Sequence, residues 1–219
     1  MVKKIGLNLD LIAPSLRVAA VDALKQGDVL GFLIKSERGN TDWLAIVGAN
    51  ASALRERGLY EKVLIHAWEG TRTNHASADP MLLERLFASA DKDKLRAAGD
   101  PLPGPGPFTL YRGVAGVGAR RRHHGMSWTS SFDCAAWFAS RYSLPDPAVL
   151  RVEVEERAVH AYLNGRAEEE FIVALPPGKR LPVHTRDRAE IQAAVDRRSI
   201  KMKEERAERI RKLRAQTYT

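Results

Sequence analysis

Cysteine occurs once in this 219-residue chain, as Cys134, which excludes an internal disulfide and any cysteine-rich zinc site. Set between Asp133 and Ala135-Ala136-Trp137, it reads as a small helix-packing residue rather than a reactive thiol. Long apolar runs are absent too: nothing reaches the ~18 residues of a membrane span. Met1-Val2-Lys3-Lys4 leads into alternating Ile5, Leu7, Leu9 and Leu11 instead of a signal-peptide core, so a cytoplasmic protein with no membrane partner is expected. There is no sustained repeat and no phosphate-loop signature. Gly113-Val-Ala-Gly116-Val-Gly118 approaches a dinucleotide fingerprint but fails it, because the pattern started at Gly116 needs glycine where Arg121 stands. Adjacent His123 and His124 have no third ligand nearby, so they belong to a basic loop and no metal site is expected.

What is present is an ordinary globular composition, 44% hydrophobic and 28% charged, with a net charge of +8. The charge is uneven. The stretch from Arg186 to Thr219 holds eleven Lys and Arg against six Asp and Glu. Arg112, Arg120, Arg121, Arg122 and Arg141 against Asp133 make a second basic region. Such surfaces attract polyanions, whether nucleic acid, acidic proteins or phosphorylated small molecules.

Pro101-Leu-Pro-Gly-Pro-Gly-Pro107 is a stiff, non-helical connector, because proline fixes φ and removes donors. It divides a mostly helical lobe, residues 1–100, from the remainder of the chain. In that lobe Ile5 to Leu11 alternates like a strand, a helix runs from Pro14-Ser15 to Gly27, and Val29 to Ile34 can form a strand. Thr41 or Asp42 caps a helix to about Arg57, a second spans Leu59 to Trp68, and Asp79-Pro80 opens a third to about Ala98. His66 reads as a satisfied core or boundary histidine; Arg72, Asn74 and His75 are candidate substrate-edge residues in a polar loop.

After the connector, Phe108 to Gly113 reads as a strand with Arg112 at its end, where a guanidinium fork is either a solvated edge or an anion clamp. Gly125 to Ser130 is a short strand with Ser127 and Thr129 on one face, and Ser130 or Ser131 caps a helix to about Tyr142. Strands follow over Ala148 to Glu155, Ala158 to Leu163 and Arg180 to His184, with a basic, mostly exposed helix from about Asp187 to Leu213. Between them, Glu168-Glu169-Glu170 runs straight into the apolar Phe171 to Leu175. Neighbouring carboxylates repel, so the cluster costs stability. Alternation along a strand would turn Glu168 and Glu170 one way and Glu169, solvated, the other. The plain alternative is a solvated strand entrance.

Tyr111-Arg112-Gly113, then Ser127-Trp128-Thr129-Ser130 running into Ala135-Ala136-Trp137-Phe138-Ala139, then Glu168-x-Glu170-Phe-Ile-Val, form an ordered set. It resembles the ADP-ribosyltransferase superfamily, in the clade defined by arginine, serine and glutamate that includes bacterial toxins and phage enzymes. The resemblance covers about residues 108–185. It implies an α+β fold with a split two-sheet β core, the helical lobe before it and the basic helix of 186–219 after it. It implies NAD as a substrate, Glu170 as the catalytic glutamate, and Ser127 holding that glutamate. Arg112, with Gly113, Tyr111, Thr129, Trp128 and Phe138 around it, would bind NAD. Glu168 matches the position that assists the attacking nucleophile in arginine-modifying members. Trp128 stands where the family commonly has threonine, free to stack near nicotinamide or to pack.

The chemistry agrees with that division of labour. Nicotinamide leaves its ribose as a neutral base, while the ribose gains oxocarbenium character that one carboxylate stabilises. A second carboxylate can take the acceptor's proton or hold a guanidinium. Within the family it resembles, Glu168-x-Glu170 rather than Gln-x-Glu implies protein arginine as the acceptor, with nucleic acid or water as alternatives and an acidic partner or antitoxin for the basic helix. From a different class, the same fold could serve as a non-catalytic nucleic-acid-binding or virion-associated scaffold.

Overall fold

The computed structural model describes residues 5–36, 42–70, 80–118, 121, 125–176 and 181–217. The chain divides into two compact units, Met1–Pro101 and Leu102–Thr219, and the division falls at the start of the proline-glycine stretch. Among the described residues the architecture is α+β, with nine α-helices and one antiparallel six-stranded sheet.

The first unit is helical. A 3-10 turn at Pro14–Leu16 leads into α1 (Arg17–Lys25), followed by α2 (Val29–Ser36), α3 (Trp43–Ala49), α4 (Ala51–Glu56), α5 (Tyr60–Gly70), α6 (Pro80–Ala88) and α7 (Lys92–Ala98). The centre is α5, whose Tyr60, Val63, Leu64, Ala67 and Trp68 are buried. Trp68 packs edge-on against Phe87 at 5.2 Å, and the Tyr60 hydroxyl donates to the Leu86 carbonyl at 2.8 Å. Burial pushes the Tyr60 phenol above its ordinary pKa. His66 is half-buried on the same helix.

Several expected elements differ. Ile5 to Leu11 is not a strand: Ile5 and Leu11 are exposed, and the segment is tied instead by the Asn50 side chain, which accepts from Asn8 N at 2.7 Å and donates to Asn8 O at 3.0 Å. Val29 to Ile34 is helical, with the Asp28 carboxylate accepting from Gly31 N at 2.8 Å. A short apolar run does not by itself distinguish strand from buried helix, and here the helical period, burying Val29, Phe32 and Leu33 while exposing Leu30 and Ile34, decides. The helix expected over 42–57 breaks at Asn50, whose amide also donates to Ile46 O. The one expected over 79–98 breaks before Asp91, which caps α7 by accepting from Asp93 N and Lys94 N, both at 3.1 Å. Asp42 caps α3. Thr41, Arg72, Asn74, His75 and Asp79 lie outside the described residues.

The second unit is built on β1 (Phe108–Val114), β2 (Ser127–Thr129), β3 (Ala148–Val154), β4 (Val159–Leu163), β5 (Glu170–Val173) and β6 (Val183–Thr185), in the order β4-β5-β2-β1-β3-β6. Where two separate sheets were expected, pairing runs through a single one. The join is narrow, however: β1 and β2 share only the Tyr111 to Thr129 register, whereas β1 and β3 pair over seven positions from Phe108 opposite Val154 to Val114 opposite Ala148. One face buries Leu110, Trp128, Leu150, Val152 and Phe171. The other is covered by α8 (Phe132–Ser140) and the first turns of α9 (Arg188–Thr217), through Ala135, Ala136, Val149, Ile191 and Ala194. Ser131 caps α8 by accepting from Cys134 N, and Arg197 holds α9 to Asp133 of α8 through two contacts of 3.0 and 2.6 Å. Of the apolar residues expected to line the final helix, Ile191 is buried and Val195 partly so, while Met202, Ile210 and Leu213 are exposed.

Helix α8 can approach β1 because residue 113 has no side chain. A Cβ there would stand 2.0 Å from the Ala135 carbonyl oxygen and 2.5 Å from the Ala139 nitrogen, and backbone of a packed helix cannot yield cheaply. Gly113→Ala is expected to destabilise the protein by about 1–3 kcal/mol or more, read as a lower denaturant midpoint.

Candidate active site

Register places the acidic strand. Thr129 of β2 stands opposite Glu170 of β5, and Tyr111 of β1 stands opposite Thr129, so their side chains share one face. Ser127, two residues before Thr129, shares it as well. Ser127 Oγ donates to Glu170 Oε1 at 2.5 Å. Glu170 itself is only 6% exposed, a buried carboxylate whose orientation a hydroxyl fixes.

Arg112 reaches this pair from behind. By alternation it leaves β1 on the face opposite Tyr111, and its Nη1 donates to the Ser127 carbonyl at 2.7 Å. Residue 125 is glycine at the point where the guanidinium lies: a Cβ there would be 2.4 Å from Arg112 Nη2. Burial pulls the Arg112 guanidinium down to about 10, against the opposing pull of the Glu170 carboxylate, so it stays charged at neutral pH. Its buried Nε has no hydrogen-bond partner among the described residues.

The carboxylate cluster is not one strand. Only Glu170 begins β5. Glu168 and Glu169 belong to the β4–β5 loop, where Ala167 and Glu169 take left-handed backbone with φ of 53° and 48°. Non-glycine residues rarely adopt that conformation, and it persists where surrounding contacts over-determine it. Here they do. Ala167 N donates to Asn164 O at 2.8 Å, Glu169 N to Asn164 Oδ1 at 3.3 Å, and Thr129 Oγ1 to Glu168 O at 2.7 Å. Glu169 is therefore not the solvated spacer that alternation suggested: it accepts from Ser130 Oγ at 2.7 Å and pairs with Lys201 at 3.8 Å.

The sequence reading missed Arg166. Its Nε lies 3.3 Å from Glu168 Oε2, and its Nη2 lies 3.7 Å from Glu170 Oε2. One guanidinium thus spans both carboxylates and offsets the like-charge repulsion of the cluster. The signal was an arginine four residues before Glu170, hidden because Glu168-Glu169-Glu170 read as an extended strand entrance, which keeps residue 166 away from Glu170. Beside this loop opens a groove of about 380 Å³, bounded by Trp137 of α8, by Arg166 and Glu168, and by Arg198, Met202 and Arg206 of α9. Arg198 is 5% exposed, pairs with Glu205 at 3.7 Å and has a buried Nε without a partner among the described residues.

Four residues expected around NAD make packing contacts in the structure. Trp128 is 1% exposed on the opposite face, against Phe171, with its Nε1–H donating to Gly125 O at 3.0 Å. Gly113 makes room for α8. Tyr111 stacks edge-on with Phe132 at 5.7 Å and His184 at 5.6 Å. Phe138 is half-buried, with Trp137 edge-on at 5.1 Å and Arg141 over its ring at 5.1 Å. Thr129, besides bonding Glu168 O, accepts from Ser131 N at 3.0 Å and so shapes the turn into α8. Arg120, Arg122, His123 and His124 lie outside the described residues. Among those described, no group of three or more His, Cys, Asp and Glu could hold a metal ion, and no helix is long and apolar enough to cross a membrane.

Cys134 borders the groove but is 1% exposed, and burial pushes its thiol up to about 11. Since only the thiolate is alkylated, a shift from 9.0 to about 11 leaves on the order of a hundredfold less thiolate at neutral pH. Iodoacetamide is expected to label the native protein far more slowly than the urea-unfolded chain, followed by intact mass.

Compared with models of protein families, with curated proteins and with solved structures, the chain finds no match in any of the three.

Proposed function

We propose that this protein is an NAD-dependent mono-ADP-ribosyltransferase that moves ADP-ribose from NAD to the guanidinium of a protein arginine. One observation carries the reading: the 2.5 Å hydrogen bond from Ser127 Oγ to Glu170 Oε1, made while the Ser127 carbonyl is held by Arg112 at 2.7 Å. Arginine, serine and glutamate come from three strands and meet at one place.

The residues suit NAD in sign and shape. Arg112, a cation whose guanidinium lies against Gly125, where a Cβ would crowd Nη2, suits an anionic pyrophosphate. Glu170, buried and clamped by Ser127, suits a ribose becoming cationic as nicotinamide departs. In a water-poor site its charge acts more strongly than in bulk solvent, and no reorganisation is needed to aim it. Glu168 remains for the acceptor, holding the guanidinium and taking its proton. That it already pairs with a guanidinium, from Arg166, supports arginine over nucleic acid as the target class.

The test is incubation of the purified protein with labelled NAD and lysate. Nicotinamide release with protease-sensitive, nuclease-resistant label is expected. Nuclease-sensitive label would move the acceptor to nucleic acid, and release without any label would make the protein an NAD glycohydrolase. Absence of nicotinamide release from folded protein overturns the proposal.

A further inference from the structure

We propose that Arg166 is an acceptor in its own chain, so that the protein ADP-ribosylates the loop that carries its acceptor carboxylate; this rests on the transferase reading above. The geometry is that of a seated substrate. Arg166 Nε lies 3.3 Å from Glu168 Oε2 and Nη2 lies 3.7 Å from Glu170 Oε2, while Glu170 Oε1 is taken by Ser127 Oγ. Its side chain keeps 51% exposure and borders the open groove, so a guanidinium held by both carboxylates is still reachable from solvent.

The loop is shaped for this approach. Left-handed backbone at Ala167 and Glu169 folds the chain back on itself, and Asn164, Thr129 and Ser130 pin it there. An extended continuation of β5 through 166–169 would instead place Arg166 more than ten ångströms along the strand direction, at ~3.3 Å per residue. The pair with Glu168, both partners open to solvent, contributes under about 1 kcal/mol, and the pair with the buried Glu170 offsets part of the desolvation cost of that carboxylate. Tethering has the larger consequence: a guanidinium on a short loop meets the site at an effective concentration on the order of millimolar, above that of most protein acceptors.

The step balances. The bond from ribose C1′ to the nicotinamide nitrogen breaks and its electron pair leaves with nicotinamide. A bond forms from Arg166 Nη2 to C1′, and one guanidinium proton passes to the Glu168 carboxylate and on to solvent. The modified guanidinium keeps a single positive charge. Its bulk then fills the acceptor side, so the modification limits the protein's activity toward other targets.

The experiment uses the full chain with NAD, with and without agmatine as a free guanidine acceptor, and maps adducts by tandem mass spectrometry. An ADP-ribosyl group on Arg166 of the unaltered protein, diminished by excess agmatine, is the expected result, together with loss of self-label in Arg166→Gln. Nicotinamide release and agmatine labelling with an unmodified Arg166 peptide overturn the self-acceptor while leaving the transferase reading in place, as does self-label that persists in Arg166→Gln. No nicotinamide release under any condition overturns both.

Discussion

Glu170→Gln is expected to reduce nicotinamide release from NAD by on the order of a thousandfold, about 4 kcal/mol of transition-state stabilisation, while leaving the fold intact. The separation of the two effects follows from the site. Glutamine keeps the shape of the side chain and an oxygen that can accept from Ser127 Oγ, so the 2.5 Å clamp survives as a neutral hydrogen bond. The residue is 6% exposed, and removing a buried charge relieves desolvation at the same time as it loses the attraction of Arg112 and Arg166. These opposing contributions hold the change in stability to within about 1 kcal/mol. The lost charge is what a developing ribose cation requires, and nothing compensates for it there. The measurement pairs nicotinamide release with a denaturant melt. Full activity in a folded Glu170→Gln protein removes Glu170 from the catalytic role.

The site was legible where chemistry depends on residue type and order. Arginine, a hydroxyl strand and a carboxylate are readable without coordinates, and the structure brings Arg112, Ser127 and Glu170 into one hydrogen-bonded chain. It was illegible where backbone conformation departs from propensity. Nothing in Glu168-Glu169 signals left-handed φ in a loop whose Ala167 and Glu169 are not glycine, so alternation assigned Glu169 to solvent when Ser130 and Lys201 hold it. The helical unit failed for a similar reason: its breaks at Asn50 and Asp91 are made by side chains bonding distant backbone, Asn8 in one case, and by Glu61 accepting from Asp91 N in the other. A periodicity argument sees neither. The clearest strand of the second unit was β3, because its two faces differ: Arg151 and Glu153 are exposed between buried Leu150, Val152 and Val154. Arg198 was hidden by its surroundings: within a helix that is basic throughout, sequence cannot single out the one arginine that is buried.

Trp128→Ala is expected to cost about 3–5 kcal/mol, a large share of the ~5–15 kcal/mol that holds a typical protein together. The side chain is 1% exposed, stands opposite Phe171 and joins the cluster of Leu110, Leu150 and Val152. Truncation leaves a cavity on the sheet face away from Ser127 and Glu170 and deletes the Nε1–H bond to Gly125 O. That bond holds the glycine over which Arg112 lies, so the loss reaches the site through β2 rather than through a ligand contact. Trp128→Phe, which refills most of the space but cannot donate, is expected to recover the larger part of the stability. The two roles weighed for this residue diverge in measurement. A ring that packs lowers the urea midpoint on truncation and leaves KM for NAD nearly unchanged in the folded Trp128→Phe protein. A ring that stacks on nicotinamide raises KM in both variants while the midpoint stays put, and that outcome would return Trp128 to the binding site.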